Sequence, residues 1–180
     1  MSQSTRRDFL KTASLSAAAV SMSAVSYARV KGANERIALA QLGCGRRGIG
    51  AHMAGVHNHD KAENVEYVAV CDPWKVSRDN AAARIKDWYG LDAKPYVSHE
   101  ELLADDSIDA VLIASCDHQH TTQLEAVAKA GKDTYCEKPL SNDLESLKRA
   151  VKAVEDSGII CQIGTQLRSY PSFTLPLTHI

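Results

Sequence analysis

The chain has almost no net charge: 21 lysines and arginines stand against 22 aspartates and glutamates, a formal −1. Aromatic residues are scarce at 6%, and no stretch interleaves them with basic residues. Together these absences remove the electrostatic footprint and the stacking platform of a nucleic-acid binder. The five cysteines, at positions 44, 71, 116, 136 and 161, are odd in number and form no C-x-x-C pair. That argues against a zinc site and against a disulfide framework. No internal repeat is found beyond the strand–helix alternation described below. What remains is ordinary: 180 residues, 44% hydrophobic and 24% charged, enough for one soluble domain with its own core.

The first 28 residues have the character of an address. Arg6-Arg7-Asp8-Phe9-Leu10-Lys11 pairs two arginines with a hydrophobic doublet, and a mildly apolar Ala/Ser-rich stretch follows from Thr12 to Val25. Ser26-Tyr27-Ala28 then places small residues at the two positions a signal peptidase reads. The segment is too short and too polar for a stable membrane span. It predicts a twin-arginine leader cut after Ala28 and a periplasmic mature chain.

The most informative stretch comes next. An apolar run, Ile37 to Leu42, leads directly into Gly43-Cys44-Gly45-Arg46-Arg47-Gly48, and Ile49 to His57 can start a helix. A second apolar run, Val65 to Cys71, ends in Asp72. Strand, glycine turn, helix and strand with a terminal carboxylate form the layout of a dinucleotide site. Gly43 permits the turn, Gly45 allows backbone approach to a diphosphate, and Gly48 allows helix and strand to pack closely. The helix N-terminus offers N–H groups and partial positive charge to the phosphates. Asp72 lies where it can accept ribose hydroxyls, which favours NAD. Arg46, Arg47, Lys75 and Arg78 are near enough in sequence to admit NADP.

Beyond Asp72 the alternation continues. Helices are predicted over Lys75 to Trp88, from Ser98 with Glu101 completing a capping box, over Thr121 to Ala130, and from an Asn142 cap to Gly158. Strands are predicted at 95–97, 109–115, 134–136 and 159–164. The result is an α/β fold: a doubly wound parallel sheet of the Rossmann type, with its ligand crevice at the carboxyl ends of the strands. Four of the cysteines fall at or just past strand ends, and all five read as small semi-buried residues. On the same edge lie Ser115 to His120, Glu137-Lys138-Pro139, and Gln166 with Arg168. His118 and His120 beside Asp117 could bind a metal, but no third ligand is evident and none is expected. A plainer role for His120 is capping the helix that follows.

Five segments carry a family resemblance: Gly43-x-Gly45-x-x-Gly48, Cys71-Asp72-Pro73, Ser115 to His120, Gly131-Lys132-x-x-Tyr135-Cys136-Glu137-Lys138-Pro139-Leu140, and Gly164-Thr165-Gln166-x-Arg168. They resemble the glucose–fructose oxidoreductase / inositol dehydrogenase (Gfo/Idh/MocA) family from about Arg36 to Phe173, and exported bacterial members are similar even in the leader. The resemblance implies an NAD(P)-dependent oxidoreductase acting on a sugar, polyol or related hydroxy compound. It implies that Lys138 sits beside the nicotinamide ribose and the reacting carbinol, on a cis bond to Pro139. Glu137 would touch the cofactor or orient Lys138, with His120 near the nicotinamide and Ser115, His118 and Gln166 among the cofactor contacts. The usual Thr-Pro before Asp-His-x-His is replaced here by Ser115-Cys116.

Family members continue into an open antiparallel sheet that binds substrate, supplies a histidine base and helps build homo-oligomers. The reading therefore divides the chain into a leader (1–28), a dinucleotide-binding domain (29–165) and the truncated start of a substrate domain (166–180). Two alternatives stay open. One is an NAD-dependent glycosidase of the N-acetylgalactosaminidase kind within the same family, and the other a non-catalytic NAD-binding fragment.

Overall fold

In the computed structural model the described residues are 36–169, and from Ile37 onward they belong to one structural unit. The leader, its cleavage site and residues 170–180 lie outside the described residues. Six strands form one sheet: β1 (Ile37–Leu42), β2 (Val65–Cys71), β3 (Lys94–Tyr96), β4 (Ala110–Ile113), β5 (Asp133–Glu137) and β6 (Cys161–Gly164). Their order is β3-β2-β1-β4-β5-β6 and every pairing is parallel. Parallel pairing brings all carboxyl ends to one edge, and the order reverses between β1 and β4, which opens a crevice there.

Helix α1 follows the glycine turn, π-wound over Gly48–Met53 and α-wound over Ala54–His57. The short α2 (Asp60–Glu63) precedes β2, and α3 (Lys75–Tyr89) joins β2 to β3. Then come α4 (His99–Leu103), α5 (His120–Lys129) and α6 (Leu144–Ser157). Alternation of side chains between the two faces of the sheet divides the apolar residues between two cores. Leu39, Tyr67, Val70 and Leu112 pack with Met53, Ala81 and Ile85 of α1 and α3. Ala40, Leu42, Val111 and Ile113 pack with Leu102, Leu124, Val127 and Ala150 of α4, α5 and α6. Strands buried on both faces need the near-continuous apolar runs that the sequence shows.

The helix ends follow local chemistry. Ser98 Oγ accepts the Glu101 N–H at 3.3 Å, as the capping box requires. Gly90 and Gly158 end α3 and α6 in the left-handed conformation. One cap differs from expectation: Asp143, not Asn142, begins α6, and its Oδ2 accepts the Ser146 N–H at 2.7 Å. Both residues are N-cap types, and a carboxylate one position later brings the stronger acceptor to the third N–H. Strand β6 begins at Cys161, two residues later than its apolar pattern suggests: Ile160 is exposed, its carbonyl accepts the Thr134 N–H, and its own N–H donates to Asp133 Oδ1 at 2.8 Å instead of to a strand carbonyl.

Candidate functional site

The glycine turn is built by close packing. Gly43 has φ +86°, and a Cβ there would lie 2.5 Å from Ser115 N at the end of β4. A Cβ on Gly48 would lie 2.1 Å from the Gly43 carbonyl oxygen, so α1 can rest on the turn only without a side chain at this position. Gly45 differs: nothing lies within 4 Å of where its Cβ would be. That open space belongs to a cleft of about 650 Å3 lined by Gly43, Gly45, Arg46, Arg47, Asp72 and Ser115. Beneath the turn, the fully buried Gln41 donates to the carbonyls of Gly43 and Leu112, each at 3.1 Å, and so joins β1, the turn and β4.

Asp72 closes the cleft at the end of β2. Its Oδ2 accepts the Cys44 N–H at 2.8 Å and its Oδ1 the Trp74 N–H at 2.8 Å, which fixes the carboxylate against the turn. Two of the four basic residues near in sequence are engaged elsewhere, and a third stays beside Asp72. Arg47 meets Glu137, Lys75 meets Asp79, and Arg78 donates to the Asp72 carbonyl at 2.5 Å.

A smaller cavity of about 240 Å3 shares Arg47, Ala114 and Ser115 with the first and adds Asp117, His120, Glu137 and Lys138. Lys138 is exposed at its mouth, and the Lys138–Pro139 bond is cis. Glu137 does not reach outward. Its side chain is 4% exposed, and Oε1 accepts from Arg47 Nε at 2.6 Å, His52 Nε2 at 2.9 Å and Gln166 Nε2 at 2.8 Å. A second Arg47 nitrogen completes a two-pronged ion pair with that oxygen. Oε2 accepts the Lys138 N–H at 3.1 Å. Burial pushes the Glu137 carboxyl upward, but the hydrogen bonds from His52 and Arg47 and the Arg47 charge outweigh it, so the group titrates below its ordinary range. Burial also takes His52 below its ordinary value, against the pull of Glu137.

His120 does not cap α5. The ring is buried, and Nδ1 lies 2.7 Å from the Pro139 carbonyl, where it must be the donor, with Nε2 3.3 Å from the Ser115 carbonyl. It therefore ties the β4 loop to the loop after β5. Ser115 Oγ donates to Gln123 Oε1 at 2.5 Å. His118 stands exposed on the 3-10 turn Asp117–Gln119 and lines neither cavity. Among the described residues no group of three or more His, Cys, Asp or Glu side chains could hold a metal ion.

The cysteines are less uniform than expected. Cys44, Cys71 and Cys136 are buried, and burial pushes each thiol up to about 12, whereas Cys116 is exposed because its loop turns outward before α5. Two residues that sequence reasoning passed over are Gln41 and His52. Both sit inside apolar or helical stretches, and a polar residue in the middle of a buried β1 was the available signal for Gln41.

The sheet order, the turn and the cleft together describe a nucleotide fold, and the sequence match decides which. The model of the oxidoreductase family with an NAD-binding Rossmann fold, Gfo/Idh/MocA, matches residues 37–165. The chain belongs to the Gfo/Idh/MocA family. Among curated Gfo/Idh/MocA relatives, the scyllo-inositol 2-dehydrogenase (NAD(+)) of Bacillus subtilis is 35% identical over 108 residues, 59% of this chain and 30% of the relative. The myo-inositol 2-dehydrogenase of Thermotoga maritima is 31% identical over 109 residues, 59% of this chain and 32% of the relative. The WlbA dehydrogenase of Bordetella pertussis, solved with NADH and UDP-GlcNAcA, superposes with TM-score 0.68 at 28% identity, over 78% of this chain and 40% of that one. The chain thus spans about a third of the length of the curated Gfo/Idh/MocA relatives it matches. Its residues suit the family's cofactor. The space before Gly45 is one that a Cβ would fill, and a fixed carboxylate stands at the end of β2 beside it.

Proposed function

We propose that this chain is the cofactor-binding part of an NAD-dependent oxidoreductase acting on a sugar, polyol or related hydroxy compound. One observation carries the reading: a single sheet edge holds the open glycine turn, the fixed Asp72 carboxylate and the exposed Lys138 on its cis-Pro139 loop. Gly43, Gly45, Gly48 and the Arg46–Arg47 start of α1 receive the diphosphate, and Asp72 accepts the ribose hydroxyls. With Arg47 and Lys75 paired elsewhere and Arg78 held on the Asp72 carbonyl, a 2′-phosphate beside Asp72 meets first a carboxylate, which favours NAD over NADP.

NAD, when bound, supplies the hydride acceptor or donor. Lys138 is the catalytic residue of this part, its ammonium facing the oxygen of the reacting carbinol and stabilising charge that develops there. His120 holds the Pro139 carbonyl and so sets the loop that carries Lys138. Ser115 lines both ends of the crevice, whereas Gln166 lines neither and instead donates to Glu137. By linkage, NAD should raise the melting temperature of the chain. Lys138→Ala should spare that rise, and Gly45→Val, which fills the diphosphate space, should abolish it. A melting temperature indifferent to millimolar NAD would rule the reading out.

The arginine pair Arg6-Arg7 and the Ser26-Tyr27-Ala28 site support export of the folded chain by the twin-arginine route to the periplasm. Replacing both arginines with lysine should leave the uncut chain in the cytoplasm. Unchanged processing in cell fractions would count against this route.

A further inference from the structure

Glu137 precedes the lysine on which the proposed function rests, and the simplest expectation is that the two neighbours pair. The geometry points elsewhere. The carboxylate faces inward, where the Arg47 guanidinium grips it, while the Lys138 side chain is exposed at the mouth of the smaller cavity. The charge count around Glu137 closes without Lys138. His52, deeply buried and shifted toward its neutral form, donates from Nε2, and its Nδ1 has no partner among the described residues. Gln166 is neutral as well. One carboxylate is therefore matched by one guanidinium, and the Lys138 ammonium has no ion pair among the described residues.

We propose that Arg47 and His52 are positioning residues for Lys138, acting through Glu137: they hold the carboxylate inward, where it fixes the Lys138 peptide and leaves the ammonium uncompensated toward the crevice. The path is short. Arg47 lies in the glycine turn's own helix start and reaches Glu137 at the end of β5. Glu137 Oε2 in turn accepts the Lys138 N–H. The same arginine lines both cavities, so the diphosphate end and the lysine end of the crevice are joined through one side chain. Removing the guanidinium leaves a buried carboxylate without its counter-charge. Without it the carboxylate draws on His52, already 2.9 Å away, and on the Lys138 ammonium, which would turn inward and leave the crevice. Arg47 is thus needed for where Lys138 points, apart from any contact with phosphate.

This inference rests on the proposal that NAD occupies the crevice, and the test separates the two. On the full chain, acetylation by acetic anhydride with and without saturating NAD, followed by peptide mass spectrometry, reads the protection of Lys138. The NAD-induced rise in melting temperature on the same samples reads occupancy of the glycine turn. The unaltered chain should show both. Glu137→Gln should keep the rise while the protection ratio falls about tenfold, the scale of one charge-assisted hydrogen bond. Arg47 also lines the diphosphate cleft, so Arg47→Met should lose protection even at NAD concentrations that restore the full rise. Arg47→Lys, which restores charge without the two-pronged grip, should recover part of the protection. His52→Leu should also lose protection, and His52→Gln, which can still donate to Glu137, should regain it. That pair carries the test if Arg47→Met does not fold.

Protection unchanged in Arg47→Met and Glu137→Gln overturns the inference. So does loss of the melting shift in Arg47→Met with Glu137→Gln silent, which would make Arg47 a direct phosphate ligand only. An unaltered chain showing neither rise nor protection would refute the cofactor reading itself, and the inference with it.

Discussion

At the residue scale, the three glycines of the turn answer three different constraints. Gly43 is required by backbone conformation and by Ser115 N, Gly48 by the Gly43 carbonyl oxygen, and Gly45 by nothing within the protein. A methyl group at Gly48 meets backbone at 2.1 Å, which cannot swing aside as a side-chain tip could. Gly48→Ala should therefore cost about 1–3 kcal/mol of stability, the range for overpacking a tight site. Gly45→Ala should change stability by less than about 0.5 kcal/mol, as for a substitution in open space, while weakening NAD binding. Urea unfolding of both variants, with NAD titrations, makes the comparison. Equal destabilisation would mean that Gly45 also serves packing. The spacing of the glycines is readable from the sequence, but which of them packs and which faces the open cleft becomes visible only when β4 is brought against the turn.

At the scale of elements, strand–helix alternation and turn residues were enough to locate all six strands and the principal helices. The misses have local causes. Asn142 and Asp143 are both good caps one residue apart, and the choice between them depends on which carbonyl and N–H groups the loop after Pro139 presents. That loop is set by Ser141, whose Oγ lies 3.0 Å from the Asp143 N–H it accepts. His120 was open to reading as a cap because it precedes Thr121, yet its ring turns away from its own helix end to meet Pro139, nineteen residues on. Arg47 and Glu137 are ninety residues apart. No periodicity within either segment could pair them. Their meeting depends on the strand order, which brings β5 within reach of α1 across β4.

For the whole molecule, protons act in one direction. His52 is held below its ordinary 6.5, first by burial, so the unfolded chain takes up its proton sooner. The stability this contributes is complete above pH 6.5 and is lost as pH falls through the lower folded value. Asp105, bonded by Lys94, Ser107 and Tyr96, is held below its ordinary 3.8. Asp60, which burial raises, is brought below 3.8 by hydrogen bonds from His57 and Tyr89, and Glu137 lies below 4.5. Their contributions are complete above those ordinary values and fade as pH falls through the folded ones. The melting temperature should therefore fall in two stages on acidification, a shallow one beginning below pH 6.5 and a steep one below about pH 4. His52→Gln should flatten only the upper stage. A melting temperature that rises between pH 7 and pH 5 would contradict the buried, neutral His52.

The order of apolar runs, the glycine spacing and the terminal Asp72 were sufficient by themselves for a doubly wound parallel sheet with a nucleotide crevice at its carboxyl edge. Those properties are local, since chain periodicity and turn conformation depend on neighbours a few residues away. The inward Glu137, the Arg47 that compensates it, the tie from His120 to Pro139 and the deep His52 were decided only by tertiary structure. Each depends on which distant strand stands next to which, and on the high cost of leaving a buried charge or donor without a partner.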